Sequence, residues 1–224
     1  MSIEEKLSTV AENTPKVYNQ GYEDGKNSVV DVSRCCSTIT FTDLNSFGSE
    51  TVTLNLDNLT NLTTLVDTPT TTNTTLKHLI VNCKKPITKF DRVFVGRVPY
   101  LERVTLNVDL SQATQITDIF WSYIDLKIVD GTPLDLSVML PNRYVAFSCP
   151  KLQEIRFVKE TIKIDFKLFN SPLLSAESIQ SIIDGLADLT GGTAQTLTLH
   201  ANVGAKLTDE QKATITAKNW TLVY

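Results

Sequence analysis

Leu76-Lys77-His78-Leu79-Ile80-Val81 and Leu101-Glu102-Arg103-Val104-Thr105-Leu106 are two copies of one short pattern, apolar at the first, fourth and sixth positions, and they begin 25 residues apart (101 minus 76). Spacings of three and then two describe a bend residue followed by a short strand whose alternate side chains enter a shared core. Thr51-Val52-Thr53-Leu54-Asn55-Leu56 joins the series, with Leu54 and Leu56 at its fourth and sixth positions and its start 25 residues ahead of Leu76 (76 minus 51). Leu59, Leu62 and Leu65 then suit the opposite side of a repeat, before a Thr/Asn/Pro loop that ends near Thr75. A chain organised this way presents a surface rather than a pocket.

Beyond Leu106 the pattern loosens. Tyr123-Ile124-Asp125-Leu126-Lys127-Ile128 fits a fourth repeat 22 residues on (123 minus 101), and Leu152-Gln153-Glu154-Ile155-Arg156-Phe157 a fifth after 29 more (152 minus 123). Residues 84–99 and 110–121 read as connectors, with room for a short helical turn in each. They carry Phe90, Val93, Phe94, Ile116, Ile119, Phe120 and Trp121 to close the core from the far side. Asp130-Gly131-Thr132-Pro133 is a turn signal, and Leu134, Leu136 and Val138 alternate as an additional strand.

The two ends differ from the middle. Residues from Ile3 to about Ser28 predict a helix with Ile3, Leu7, Val10 and Val17 on one stripe, broken or kinked at Pro15. Tyr18, Gly21, Tyr22 and Gly25 follow at helical spacing and allow close approach of a neighbour. Two readings stand side by side: a cap on the first repeat, or an oligomerising or attachment stalk that uses Ile3, Leu7, Val10, Val17, Tyr18 and Tyr22. At the other end Ser175 can cap a helix through Ile179, Ile182, Ile183, Leu186 and Leu189 that stops at Gly191 and Gly192. Thr196 to Leu199 is a strand, Thr208 to Gln211 has capping-box form ahead of a helix reaching about Lys218, and Trp220 to Tyr224 is a final strand. The expected fold is α+β: a β-rich leucine-rich repeat solenoid over 31–172, an N-terminal helical segment over 1–30 and a C-terminal strand-helix-strand cap over 173–224.

Composition narrows the function classes. Apolar residues are 42% and charged residues 21% of 224, as in an ordinary folded chain, and the net charge of −4 supplies no basic field for nucleic acid. No apolar run approaches the roughly 20 residues a membrane span needs. The start, Met1-Ser2-Ile3-Glu4-Glu5-Lys6-Leu7, lacks the basic and apolar regions of a signal peptide, so synthesis in the cytoplasm without export by that route is expected. The Asn-x-Thr sequons at Asn58, Asn61 and Asn73 are then read as accidents of Thr-rich segments. Cys35, Cys36, Cys83 and Cys149 have no metal-ligand spacing and read as reduced structural thiols.

Chemistry is sparse. His78 and His200 are the two histidines, and neither stands in a recognisable nucleophile setting, so both read as exposed strand residues. Asp130 and Asp135 lack calcium-loop spacing, and Gly191-Gly192 precedes a strand where a phosphate loop follows one. No enzyme activity, metal or cofactor is expected. What remains is a face: the outward positions Lys77, His78 and Ile80, then Arg103 and Thr105, then Asp125 and Lys127, then Glu154 and Arg156 form a mixed-charge patch across several strands.

The central spacing resembles the BspA-like branch of leucine-rich repeat proteins. Ser175 to Thr190, Thr196 to Leu199 and Leu207 to Ala213 resemble the closing segment of such proteins encoded by bacteriophages and prophages of gut Firmicutes, and Ile3 to Leu7 with Ala11 to Tyr18 is similar to their start. The resemblance implies a non-enzymatic, tail-associated virion protein, structural or for host attachment, whose N-terminal helix joins copies of itself or other virion proteins while the repeats meet a host surface protein or glycan. A bacterial cell-surface adhesin of the same repeat class is the alternative.

Overall fold

The computed structural model describes residues 49–57, 59, 62–66, 75–92, 100–120, 123–146 and 148–224, with the strand backbone of Asn27–Asp31 and Thr38–Thr40; the side chains of those two strands and of Val66 lie outside the description. The protein is mixed α/β, with strands paired in parallel and few helices. Its first sheet has the order β1 (Asn27–Asp31), β3 (Thr51–Asn55), β5 (His78–Pro86), β7 (Arg103–Asp109) and β9 (Ile128–Gly131). A second runs β2 (Thr38–Thr40), β4 (Thr64–Val66), β6 (Lys89–Asp91) and β8 (Gln115–Ile116), so the chain alternates between two sheets as it advances.

Alternation along each strand sorts the side chains. Registry places Val52, Leu79, Val104 and Val129 in one buried row and Leu54, Val81 and Leu106 in the next. Phe90 and Ile116 reach the same core from the second sheet, and Ile119 and Phe120 follow them there. Just ahead of the first sheet's strands stands a row of buried leucines, Leu76, Leu101, Leu126 and Leu152. Their steps are 25, 25 and 26 residues, which corrects the predicted fourth repeat. Leu126, not Tyr123, is its first position, Val129 its fourth, and Ile128 faces outward. The sixth position is Gly131, at φ +94°, where a Cβ would stand 2.3 Å from the Leu106 carbonyl oxygen. The chain bulges there through Thr132 and Pro133, and Leu134 resumes pairing at a single bridge to Phe157. The strand expected over 134–138 is therefore reduced to that bridge. Residues 89–91 and 115–116 are strands where helical turns had room.

At the start, Asn27 and Ser28 belong to β1, so the predicted helix cannot extend through them. Its remaining residues, including Ile3, Leu7, Val10, Val17, Tyr18 and Tyr22, lie outside the described residues, as do Cys35, Cys36, Asn58, Asn61, Asn73, Val93, Phe94 and Trp121.

The C-terminal region holds α1 (Ala176–Gly185), β11 (Gln195–Leu199), the short α2 (Ala201–Gly204), α3 (Asp209–Ala217) and β12 (Trp220–Val223); β10 (Phe166–Leu168), β11 and β12 form a third parallel sheet. Ser175 caps α1 and Thr208 with Gln211 closes a capping box on α3, as their sequences predict. α1 ends four residues before Leu189, because Leu186 turns extended to bridge Ile162. Lys218 then covers the exposed helix end: its Nζ donates to the carbonyls of Ile183 (3.1 Å) and Leu186 (2.7 Å).

α1 stands where the first sheet would next add a strand. Ser175 N–H bonds Gln153 O, and the Ser178 hydroxyl donates to Gln153 O while accepting from Ile155 N–H, each at 3.0 Å or less. The Ser181 hydroxyl accepts from Phe157 N–H at 2.9 Å. Serines three apart on a helix thus substitute for the missing strand's backbone.

Candidate binding face

The outward positions of β3, β5, β7 and β9 make the first sheet's open face. One row holds Thr51, His78, Arg103 and Ile128, and the bridge from Ile128 continues it to Glu154. The next holds Thr53, Ile80, Thr105 and Asp130, and a third Asn55, Asn82 and Asn107. Of the predicted residues, His78, Ile80, Arg103 and Thr105 lie on this face, Glu154 adjoins it, and Arg156 is exposed on the neighbouring segment. Asp125 and Lys127 do not lie on it: the corrected registry puts Ile128 and Asp130 there. Lys77 sits one residue ahead of β5. Asp130, Ile128 and the asparagines are additions; pairing of Thr51 with His78 also corrects the first repeat, in which Val52 and Leu54, not Leu54 and Leu56, hold the fourth and sixth positions, and with that register all three asparagines stand seventh.

The central side chains interlock across strands, two of the links running diagonally and one straight across. His78 Nε2 lies 3.0 Å from Thr105 Oγ1, Arg103 pairs with Asp130 on the next strand, and Asn107 Nδ2 donates to Asn82 Oδ1 at 2.8 Å. Partial burial and the adjacent Arg103 guanidinium hold the His78 imidazole below its usual pKa. Burial opposes charge on Asp130, but the Thr105 hydroxyl and Arg103 outweigh it and its carboxyl is held low. A histidine beside a hydroxyl invites comparison with a nucleophile pair. Here the flanking backbone amides are committed to parallel pairing. The arrangement can make hydrogen bonds and ion pairs across a broad surface.

Elsewhere the chemistry is quiet. Burial pushes the Cys83 thiol up to about 11 and Cys149 to about 12, and each thiol donates to a backbone carbonyl, so neither is a ready nucleophile. His200 is not an exposed strand residue: its Nδ1 accepts from Asn202 N–H and caps α2. Asp135 accepts from Ser137 N–H in a local turn. A groove of 490 Å³ between Leu173–Ile179 and Lys206–Gln211 is lined by one charged side chain, Lys206. Among the described residues no cluster of three metal-ligating side chains occurs, and no helix is long and apolar enough to cross a membrane. No protein-family model, curated protein or solved structure matches the chain.

Proposed function

We propose that the chain is a leucine-rich repeat solenoid that works as a non-enzymatic binding module through the open face of its first sheet. The observation that carries this reading is the face itself: three registered, mostly polar rows of side chains, joined across strands, on a scaffold whose steps are 27, 25, 25 and 26 residues. The buried leucine row at the same period supports the solenoid. The resemblance of both ends to phage-encoded repeat proteins supports a narrower role as a tail-associated virion protein, either structural or contacting a host surface protein or glycan.

Fluorescently labelled protein incubated with whole cells and cell-wall fractions of gut Firmicutes tests binding. Saturable binding that falls at least tenfold in Ile80→Arg, with an unchanged melting profile, is expected, because Ile80 is central to the face and half-buried. Equal binding by the variant would remove the face from the role. Mass spectrometry of purified particles tests location: presence in lysate alone, with none in virions, would exclude the tail.

A further inference from the structure

Beside the binding face runs a second row. Glu50, Lys77, Glu102, Lys127 and Gln153 occupy equivalent positions just ahead of successive strands, each amide donating to the carbonyl of the preceding member: Lys77 to Glu50 (2.9 Å), Glu102 to Lys77 (2.7 Å), Lys127 to Glu102 (2.8 Å) and Gln153 to Lys127 (2.8 Å). The first four alternate in sign. Lys77 pairs with Glu50 and Lys127 with Glu102, both at 2.6 Å, yet all four side chains stay 41–59% exposed. Tyr100 (50% exposed) stands two residues ahead of Glu102 and adds apolar surface beside it.

We propose that this row is a self-association surface, on which a second copy of the chain docks turned end for end. Read in one direction the four charges are minus, plus, minus, plus; read in the other they are plus, minus, plus, minus. A two-fold axis between Lys77 and Glu102 therefore sets Glu50 against the partner's Lys127 and Lys77 against the partner's Glu102. Period selects the partner. Neighbouring strands lie about 4.8 Å apart, whereas same-face side chains repeat at about 6.8 Å along an extended peptide and a helix turns every 5.4 Å. Another row of stacked parallel strands matches charge for charge, and a second copy supplies one. The charges set orientation, and Tyr100 adds apolar area as it is covered.

Sedimentation equilibrium of the full chain tests the proposal, alone and as two charge-inverted variants, Lys77→Glu with Lys127→Glu and Glu50→Lys with Glu102→Lys. The wild type is expected to dimerise, and more weakly in 1 M salt, where the Debye length is about 3 Å. Each inverted variant should be at least tenfold weaker alone, and a 1:1 mixture of the two should recover the dimer. Lys77→Gln with Lys127→Gln removes attraction without adding repulsion and gives an intermediate result if either inversion impairs folding, which circular dichroism reports. A monomeric wild type, dimers that survive inversion, or folded variants that do not recover on mixing would each overturn it.

Discussion

Two stretches of the first sheet meet their neighbours differently. β7 lies between β5 and β9, and over Arg103–Leu106 it is paired with a strand on each side. Residues 152–157 have β9 on one side and α1 on the other, and there Ile155 and Phe157 amides end on the hydroxyls of Ser178 and Ser181. A helix spends its backbone groups on itself, so it can close a parallel sheet only if its side chains present acceptors at strand spacing. The contrast shows that a sheet edge can be terminated by two correctly spaced serine hydroxyls and the backbone amide of the residue that caps the helix.

Substitutions sharpen this contrast. Leu126→Ala and Leu152→Ala, at fully buried members of one row, should each lower stability by about 2–5 kcal/mol in urea unfolding. Similar losses would mean that the strand-backed and helix-backed stretches share one rigid core; a much smaller loss at Leu152 would mean that the helix end relaxes. Ser178→Ala strips the buried Ile155 amide of its partner, while the Gln153 carbonyl keeps the Ser175 amide, and should cost about 1–3 kcal/mol. Ser178→Thr keeps the hydroxyl and should recover part of that loss. Lys218→Met uncovers the α1 carbonyls at an expected cost of about 1 kcal/mol, visible as faster amide exchange in the helix's last turn. Glu102→Gln breaks an exposed pair in the strand-backed region and should shift stability by less than about 1 kcal/mol. The smallest effect is pH-dependent. The His78 imidazole is held low, so its contribution is complete above the unfolded value of about 6.5 and is lost as pH falls through the folded value. His78→Gln should flatten that part of the stability profile.

The strand-backed region was the more legible in sequence. Leu76 and Leu101 announce their strands because each is followed by apolar residues three and five places on, and the outward positions of β5 and β7 follow from alternation. The fourth step was misread because Gly131 stands where Val81 and Leu106 stand in their strands, while Tyr123 and Ile128 offered a false frame three residues early. The second sheet escaped because β8 is two residues long and β6 three, too short to display a period. Of the face, composition could be read along each strand. The links from His78 to Thr105 and from Arg103 to Asp130 depend on stagger between strands, which no local pattern encodes. The helices of the C-terminal region were plain from their caps, but the role of Ser178 and Ser181 was not, because a serine on a helix signals its own surface, not the strand beside it.

The alternating row beside the strands also limits how this protein can change length. Excising one step of 25 residues would keep the leucine row intact but bring Glu50 beside Glu102, or Lys77 beside Lys127. Removing or duplicating two steps restores the order of signs. Among the inner steps, alternation therefore survives gain or loss only in even numbers, a parity that the apolar core by itself does not impose.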